Sequence, residues 1–327
     1  MQSFELKIYD DELLNKESFL AFLVYCDEAP IRLYVPEGPS LYQCGVMDII
    51  WQSGLIEWIT IDTGNEVESV EPATRFQRSE LKQLNGSGFW DYAHDVYHKY
   101  KFPRITTNQH YRLAYMLGRR NADRLAIMYW LHKQPFDCLL SATQTDNWQY
   151  IPRADVDTWV DNRYAFEQWC KQFPITSFDQ LNQTDFYEYK NEEFQAEGDT
   201  GGFYYAQYQA LKFYHAFDVE LVAETFVRGT TYYPTEKTIR PIMGAKPFVI
   251  YGPKYYLTRL KSNGFRTFES CWDESYDKYE GAERWIRMQQ VITQIYAWSD
   301  VEWSQTMQRA REIAEYNKQI FINASNN

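Results

Sequence analysis

The feature that most restricts the fold is a repeated alternation of short apolar strands with helices. Near the start of the chain, residues 31–35 (IRLYV) and 55–62 (LIEWITID) have strand character, and residues 46–53 between them have helical spacing. Strands joined through helices lie parallel in one sheet. This part of the sequence therefore predicts an α/β unit.

The same order recurs further along the chain. Residues 111–117 (YRLAYML) predict a strand, residues 123–133 a helix that Asn121 can cap, and residues 136–141 (FDCLLS) a second strand. Two separate occurrences of strand, helix and strand predict two α/β units, each with a parallel sheet.

The length supports this division. A chain of 327 residues exceeds the roughly 250–300 residues at which a single core stops growing. We expect an N-terminal α/β domain at 1–107 and a C-terminal one at 108–327, with a polar, aromatic insertion near 142–204 that contains one helix. Further strands and helices are predicted at 219–226, 246–251, 285–298 and 303–321.

Charge and cysteine content exclude several classes of protein. The net charge of −12 disfavours broad nucleic-acid binding, although 99–104, Arg119, Arg120 and Arg124 form a local basic patch. The five cysteines form no CxxC pair, so no zinc site or disulfide framework is predicted. Without a signal peptide or an apolar membrane anchor, the predicted location is the cytoplasm, the host's in the case of a viral protein.

One helix start has the chemistry of a phosphate site. Thr235 is a good N-cap residue, and Glu236 and Lys237 follow it in the first turn, with Arg240 one turn further on. The N-terminus of a helix favours anions, and Lys237 adds a full positive charge there. Glu236 can accept hydrogen bonds from sugar hydroxyls. A solvated, capped helix start is the ordinary alternative.

Three segments around this helix occur in the order found in a known enzyme family. They are FYHAF at 213–217, YPTEK at 233–237 and PFVIYGP at 247–253. Together they resemble the fucosyltransferase family and related GT-B glycosyltransferases. Residues 111–133 resemble the first strand, loop and helix of the same domain, with an arginine at Arg124. Pro234 departs from the family, which has a β-branched residue there.

The resemblance implies two Rossmann-like domains that face each other across a cleft, with a nucleotide sugar bound to the C-terminal one. It implies that Lys237 meets the diphosphate and Glu236 the sugar, with Arg240 or Arg124 assisting. The donor-binding set that we predict consists of Tyr233, Thr235, Glu236, Lys237, Arg240, Glu224, Arg119 and Arg124. Asp218 is the alternative to Glu224 for a family glutamate that is not matched cleanly. Metal-independent, inverting transfer is also implied, with no cofactor beyond the nucleotide sugar.

A second likeness concerns residues 264–268 (GFRTF) and 272–277 (WDESYD). These segments are similar to uncharacterised proteins of marine phages, which favours a viral source and brings no activity with it. The carboxylates at Asp273, Glu274 and Asp277 lack the spacing of a calcium loop. We expect this segment to close over the nucleotide or to cap the next helix.

An inverting transferase also needs a base near the acceptor hydroxyl. We predict that it comes from the N-terminal domain, from Glu37, Asp62 or Glu66, which lie at or near the carboxyl ends of predicted strands. His94, His98 and His110 are the alternatives.

The sequence thus favours a glycosyltransferase that moves a sugar from a nucleotide sugar to an acceptor hydroxyl. A glycan, a small molecule or a modified base in viral DNA are the acceptors considered. The alternatives are a non-catalytic phage virion or interaction protein that keeps the fold, and another enzyme on a doubly wound sheet. No GxGxxG, P-loop or GxSxG pattern occurs in the sequence, which argues against dinucleotide oxidoreductases, P-loop ATPases and serine hydrolases.

Overall fold

The chain folds into two four-stranded parallel sheets with helices, as the alternation of elements predicts. The computed structural model describes residues 2–9, 12–26, 29–35, 41, 44–63, 80–83, 93, 97, 110–117, 122–142, 162–171, 209–224, 227, 232 and 234–324. Within these ranges, no helix is both long enough and apolar enough to cross a membrane.

The first sheet follows the order of the chain. It consists of β1 (Gln2–Glu5), β4 (Ile31–Val35), β5 (Ile59–Thr63) and β6 (Glu80–Gln83), each parallel to the next. A small antiparallel pair, β2 (Ile8–Tyr9) and β3 (Glu12–Leu13), follows β1. Helices α1 (Lys16–Tyr25) and α2 (Val46–Ser53) precede β4 and β5.

The core of this first region is apolar. Leu33 and Ile61 on the two central strands are fully buried, and Phe19 of α1 and Ile50 of α2 pack in the same cluster. Among the side chains described in residues 2–63, each buried one is apolar. Burial of apolar surface therefore accounts for this core.

In the second sheet, the strand order reverses. It contains β7 (Tyr111–Leu117), β8 (Cys138–Ala142), β9 (Phe217–Ala223) and β10 (Phe248–Tyr251), all parallel, in the spatial order β8-β7-β9-β10. From β7 the chain runs outward to β8 on one side, and it later continues through β9 to β10 on the other. Ligands of open parallel sheets bind outside the carboxyl ends of the strands at such a reversal.

Six described helices belong to this second region. They are α3 (Ala122–Lys133), α4 (Arg163–Lys171), α5 (Glu236–Met243), α6 (Tyr256–Ser262), α7 (Gly281–Ala297) and α8 (Asp300–Ala324). The guanidinium of Arg112 on β7 ties the end of α7 to the sheet, since it donates to the carbonyls of Ile295 at 3.0 Å and Trp298 at 2.9 Å. Trp303 of α8 donates to Asp218 of β9 at 3.0 Å.

The predicted strands and helices are confirmed where they fall on described residues, including α4 inside the insertion and the two terminal helices, except that Ile56–Trp58, predicted as part of a strand, form a 3₁₀ helix before β5. The aromatic segment at 213–217, one of the three that carry the resemblance, leads into β9. It ends a short 3₁₀ helix (Gln209–Phe213) and forms a turn, because Ala216 donates its N–H to the carbonyl of Phe213 at 2.8 Å. Only Phe217 belongs to β9.

Two residues before the predicted domain boundary at 107 pack with the second core. Ala93 is fully buried in it, and the ring of Tyr97 meets Phe321 of α8 edge-on, with ring centroids 6.0 Å apart. The loop at 102–108, where the boundary was predicted, lies outside the described residues.

Candidate functional site

The candidate site lies where the strand order of the second sheet reverses. Helix α3 follows β7 on one side of this point, and α5 follows β9 on the other. The first residues of these helices, together with Glu224 directly after β9, contain five of the predicted donor-binding residues: Arg124, Glu224, Thr235, Glu236 and Lys237.

Glu224 is the centre of a buried hydrogen-bond network. Its side chain is fully buried, and its Oε1 accepts from the backbone N–H of Thr235 at 3.1 Å and from the hydroxyls of Thr238 at 2.5 Å and Tyr256 at 2.9 Å. Its Oε2 accepts from the Thr235 hydroxyl at 2.5 Å. A buried carboxylate is stable only when its oxygens are satisfied in this way. The network fixes the start of α5 against the end of β9.

Thr235 is the N-cap of α5, as predicted. Its backbone is extended, and its Oγ1 accepts from the backbone N–H of Lys237 at 3.3 Å. The hydroxyl donates to Glu224 at the same time, so the cap is itself held in place. The helix dipole gives this end a partial positive charge.

Glu236 and Lys237 form an ion pair in the first turn of α5. Burial lowers the pKa of Lys237, and the charge of Arg124 acts in the same direction, whereas the carboxylates of Glu236 and Glu224 raise it; the net shift is downward. Burial raises the pKa of Glu236, but the Lys237 ammonium outweighs it, so the net shift of Glu236 is also downward. The lowered pKa of Glu236 keeps its carboxyl ionised at neutral pH, whereas the net effect of the surroundings on Lys237 acts against its positive charge.

Arg124 enters the site from the other side of the reversal. It lies in the first turn of α3, is 2 % exposed, and its carbonyl accepts from the Tyr115 hydroxyl at 3.1 Å. Its positive charge lowers the pKa of both Glu236 and Lys237. The charges of Arg124 and Lys237, which lie on different helices, thus both act on the carboxyl of Glu236.

Arg240 lies apart from this ion pair, although it was predicted to share a helix face with Lys237. Its guanidinium pairs with the fully buried Glu220 of β9, and its Nε donates to the Tyr214 hydroxyl at 3.0 Å. Tyr214 also donates to Glu220. A Cβ at Gly244, which follows α5, would lie 2.4 Å from the Tyr214 ring, so only glycine fits there. This cluster holds α5 on the sheet.

Asp218, the alternative to Glu224, serves another purpose. Its carboxylate accepts from Trp303 and from Arg311 at 2.9 Å, and His110 lies 3.2 Å from it, so it anchors α8 to β9. Glu224 alone of the two alternatives contacts the Thr-Glu-Lys helix.

Two of the three carboxylates of the 273–277 segment, those of Glu274 and Asp277, are used inside the fold. Asp277 accepts from the backbone N–H groups of Leu257 at 2.9 Å and Thr258 at 3.1 Å, so it caps α6. The expectation that this segment caps the next helix was wrong, because α6 precedes it in the chain. Glu274 accepts from the N–H of Phe268 at 2.8 Å, and burial raises its pKa to about 7.

Several predicted residues lie outside the described part of the chain. These are Tyr233, Arg119, Glu37, Glu66, His94 and His98. Asp62 is described in its backbone, where it pairs with Tyr34 one residue before the carboxyl end of β5.

Sequence reasoning missed two residues of the network, Thr238 and Tyr256. Their hydroxyls lie 2.8 Å apart, and both also bond to Glu224. Thr238 could have been found, since it lies three residues after Thr235 on the same helical face. Tyr256 follows β10 and reaches Glu224 only through the pairing of β9 with β10.

The comparisons add no relative to this description. No family model matches the chain, and the searches of curated proteins and of solved structures find no match either.

Proposed function

We propose that the chain is a glycosyltransferase that binds a nucleotide sugar at the carboxyl edge of its second sheet and transfers the sugar to an acceptor hydroxyl. The observation that carries this proposal is that the first turn of α5, after β9, contains the Glu236–Lys237 pair, on which the charge of Arg124 also acts from the helix after β7, across the reversal of strand order. The notable feature is that the two basic side chains come from helices on either side of the reversal.

The chemistry of transfer explains why such a site needs cations. When the bond between sugar and nucleotide breaks, negative charge develops on the leaving diphosphate. Preorganised positive groups stabilise that charge without a metal ion. Lys237 and Arg124 are the basic side chains that would meet the diphosphate, and the backbone N–H groups of α5 add a dipole.

Glu236 is the residue of the site that suits the sugar of the ligand. Its carboxylate stays ionised because the Lys237 ammonium lowers its pKa despite burial. An ionised carboxylate accepts hydrogen bonds from sugar hydroxyls. A ligand that carries a sugar beside its diphosphate therefore offers a partner to each member of the pair.

The acceptor and its base belong to the same proposal. The acceptor hydroxyl needs a carboxylate or a histidine to take its proton. Glu37, Asp62 and Glu66 are the proposed residues, at or near the carboxyl ends of β4 and β5.

A binding screen tests the proposal. GDP, UDP, CDP, ADP, dTDP and their sugars are added to the wild type and to Lys237→Ala, and the unfolding temperature is recorded. One nucleotide at about 100 times its Kd stabilises the wild type by about 2.7 kcal/mol, and Lys237→Ala loses this effect. Lys261→Ala is the matched control, since Lys261 is an exposed lysine paired with Glu269 at 2.5 Å.

Activity is measured with the nucleotide that the screen selects. The wild type releases nucleoside diphosphate from the corresponding sugar nucleotide when an acceptor is present, and Lys237→Ala does so at a greatly reduced rate. Absence of stabilisation by every nucleotide contradicts the proposal and favours the non-catalytic interaction protein.

A further inference from the structure

Tyr255 has a backbone conformation that normally belongs to glycine. Its φ of 64° and ψ of 21° place it in the left-handed region directly before α6. Among the described non-glycine residues, only Ala245 shares a positive φ. A bulky side chain makes this conformation unfavourable, so residues of this kind persist only where their surroundings impose it.

A buried arginine holds the loop that contains Tyr255. Arg284 is fully buried and donates to the carbonyls of Ile250 at 3.2 Å, Pro253 at 3.1 Å and Asp277 at 3.3 Å. The Asp277 carbonyl in turn accepts from the N–H of Tyr255 at 2.7 Å. Because both sides of the loop are bonded, the strained conformation is preorganised before any ligand arrives.

The ring of Tyr255 contributes little to the core. It is 37 % exposed, and the ammonium of Lys254 lies 5.2 Å from its centroid. Glycine would adopt this conformation without strain. The chain instead places a large aromatic residue there and leaves more than a third of its surface in solvent, where a ligand can reach it.

This loop adjoins the candidate site. It follows β10, which pairs with β9, and the N–H of Glu224 donates to the carbonyl of Tyr251 at 2.9 Å. The next residue after Tyr255 is Tyr256, whose hydroxyl bonds to Glu224 at 2.9 Å. Adjacent Cα atoms lie about 3.8 Å apart. The backbone of Tyr255 is therefore next to that of Tyr256, a residue of the network that holds α5.

We propose that Tyr255, with Lys254 beside it, is the platform on which the base of the nucleotide stacks while the diphosphate lies at Lys237. This inference rests on the proposed function and adds the recognition of the base to it. Aromatic rings bind bases of any kind through their faces, and loss of one such ring weakens binding about ten-fold to a hundred-fold. A rigid loop favours binding further, because it loses little conformational entropy when the ligand binds.

The test separates base from phosphate. Calorimetric titration measures the Kd of the selected nucleoside diphosphate and of inorganic pyrophosphate, which has no base, for the wild type, Tyr255→Gly, Tyr255→Asn and Tyr255→Phe. Glycine and asparagine both tolerate the left-handed backbone, and we expect each to raise the Kd of the nucleotide at least ten-fold and to leave that of pyrophosphate unchanged. Tyr255→Phe keeps the wild-type Kd.

Ala245→Gly is the control for backbone strain. It relieves the other positive φ, so it leaves the Kd of the nucleotide unchanged and does not lower the unfolding temperature of the free protein. If Tyr255→Gly and Tyr255→Asn bind the nucleotide like the wild type while Lys237→Ala does not, the platform is disproved and the proposed function stands. If the wild type binds neither probe, both proposals fail.

Discussion

The two sheets of this protein are built from similar elements and differ in two respects. The first sheet runs in chain order through β1, β4, β5 and β6, whereas the second reverses between β7 and β9. The described core of the first region is apolar, whereas the second buries charged side chains that include Glu220, Glu224 and Arg284. Buried charges are costly unless they are paired. Their concentration beside the reversal indicates that this sheet holds polar loops in place as well as forming a core.

The comparison predicts that a buried charge of the second region is harder to remove than an exposed one on the same helix. Arg284→Met leaves Asp277 and several carbonyls without their donor, and we expect the free energy of unfolding to fall by about 3–5 kcal/mol. Glu283→Gln removes an exposed charge from the same helix, where Glu283 accepts from Arg287 at 3.0 Å. Its effect stays below about 1 kcal/mol. Urea denaturation measures the free energy of unfolding of both variants. Equal losses would contradict the predicted difference between a buried and an exposed charge.

A pH series examines the buried carboxyl of Glu274. Its pKa is about 7 in the folded protein, against an ordinary value of 4.5. The folded chain thus keeps a proton that the unfolded chain releases above pH 4.5. Its contribution to stability is complete below that pH and is lost as the pH rises through about 7, a difference of about 3 kcal/mol. Subtracting the profile of Glu274→Gln isolates this contribution, and parallel profiles of the two proteins would contradict it.

The side chain of Glu224 is expected to affect both the stability of the fold and the binding of the nucleotide. In Glu224→Gln, one oxygen becomes an NH₂ group that faces hydroxyl or N–H donors, and we expect a loss of about 2 kcal/mol. The same change releases Thr235 and should weaken nucleotide binding. Glu283→Gln on the surface of α7 serves as the control. Lost stability with unchanged nucleotide affinity would make Glu224 a residue of the fold alone.

The smallest expected effect concerns the buried apolar side chains that both cores contain. Ile61→Val in β5 and Ile250→Val in β10 each remove one buried methylene from a fully buried position. Each should cost about 1 kcal/mol in unfolding free energy. Neither should alter the Kd of the nucleotide. A large change in affinity with Ile61→Val would mean that the first core also supports the site.

Much of the candidate site could be predicted from the sequence because its signals are local. Thr235 followed by Glu236 and Lys237 predicts a capped helix with a cation in its first turn, and α5 has both features. The place of Arg240 could not be predicted, because its partners Glu220 and Tyr214 lie on β9 and the turn before it. The position of a residue in a helix indicates the helix face on which its side chain lies. It does not indicate which strand that face packs against.

The choice between Asp218 and Glu224 shows the same limit. Both are acidic and both lie near β9, and the sequence left them as alternatives. The register of the strand separates them, since Asp218 lies near the start of β9, with Trp303 and Arg311, and Glu224 lies just after its carboxyl end, with Thr235.

The sequence by itself determined the elements of this protein: apolar runs, turn residues and caps specify strands and helices through interactions between near neighbours. Only the tertiary structure decided that the strand order reverses beside β7, that Arg124 acts on the same place as Lys237, and that Arg284 holds Tyr255 in a strained conformation. These depend on which strands pair and on contacts between residues far apart in the chain. Such contacts form together when the chain folds around its core, and the local sequence pattern does not specify them.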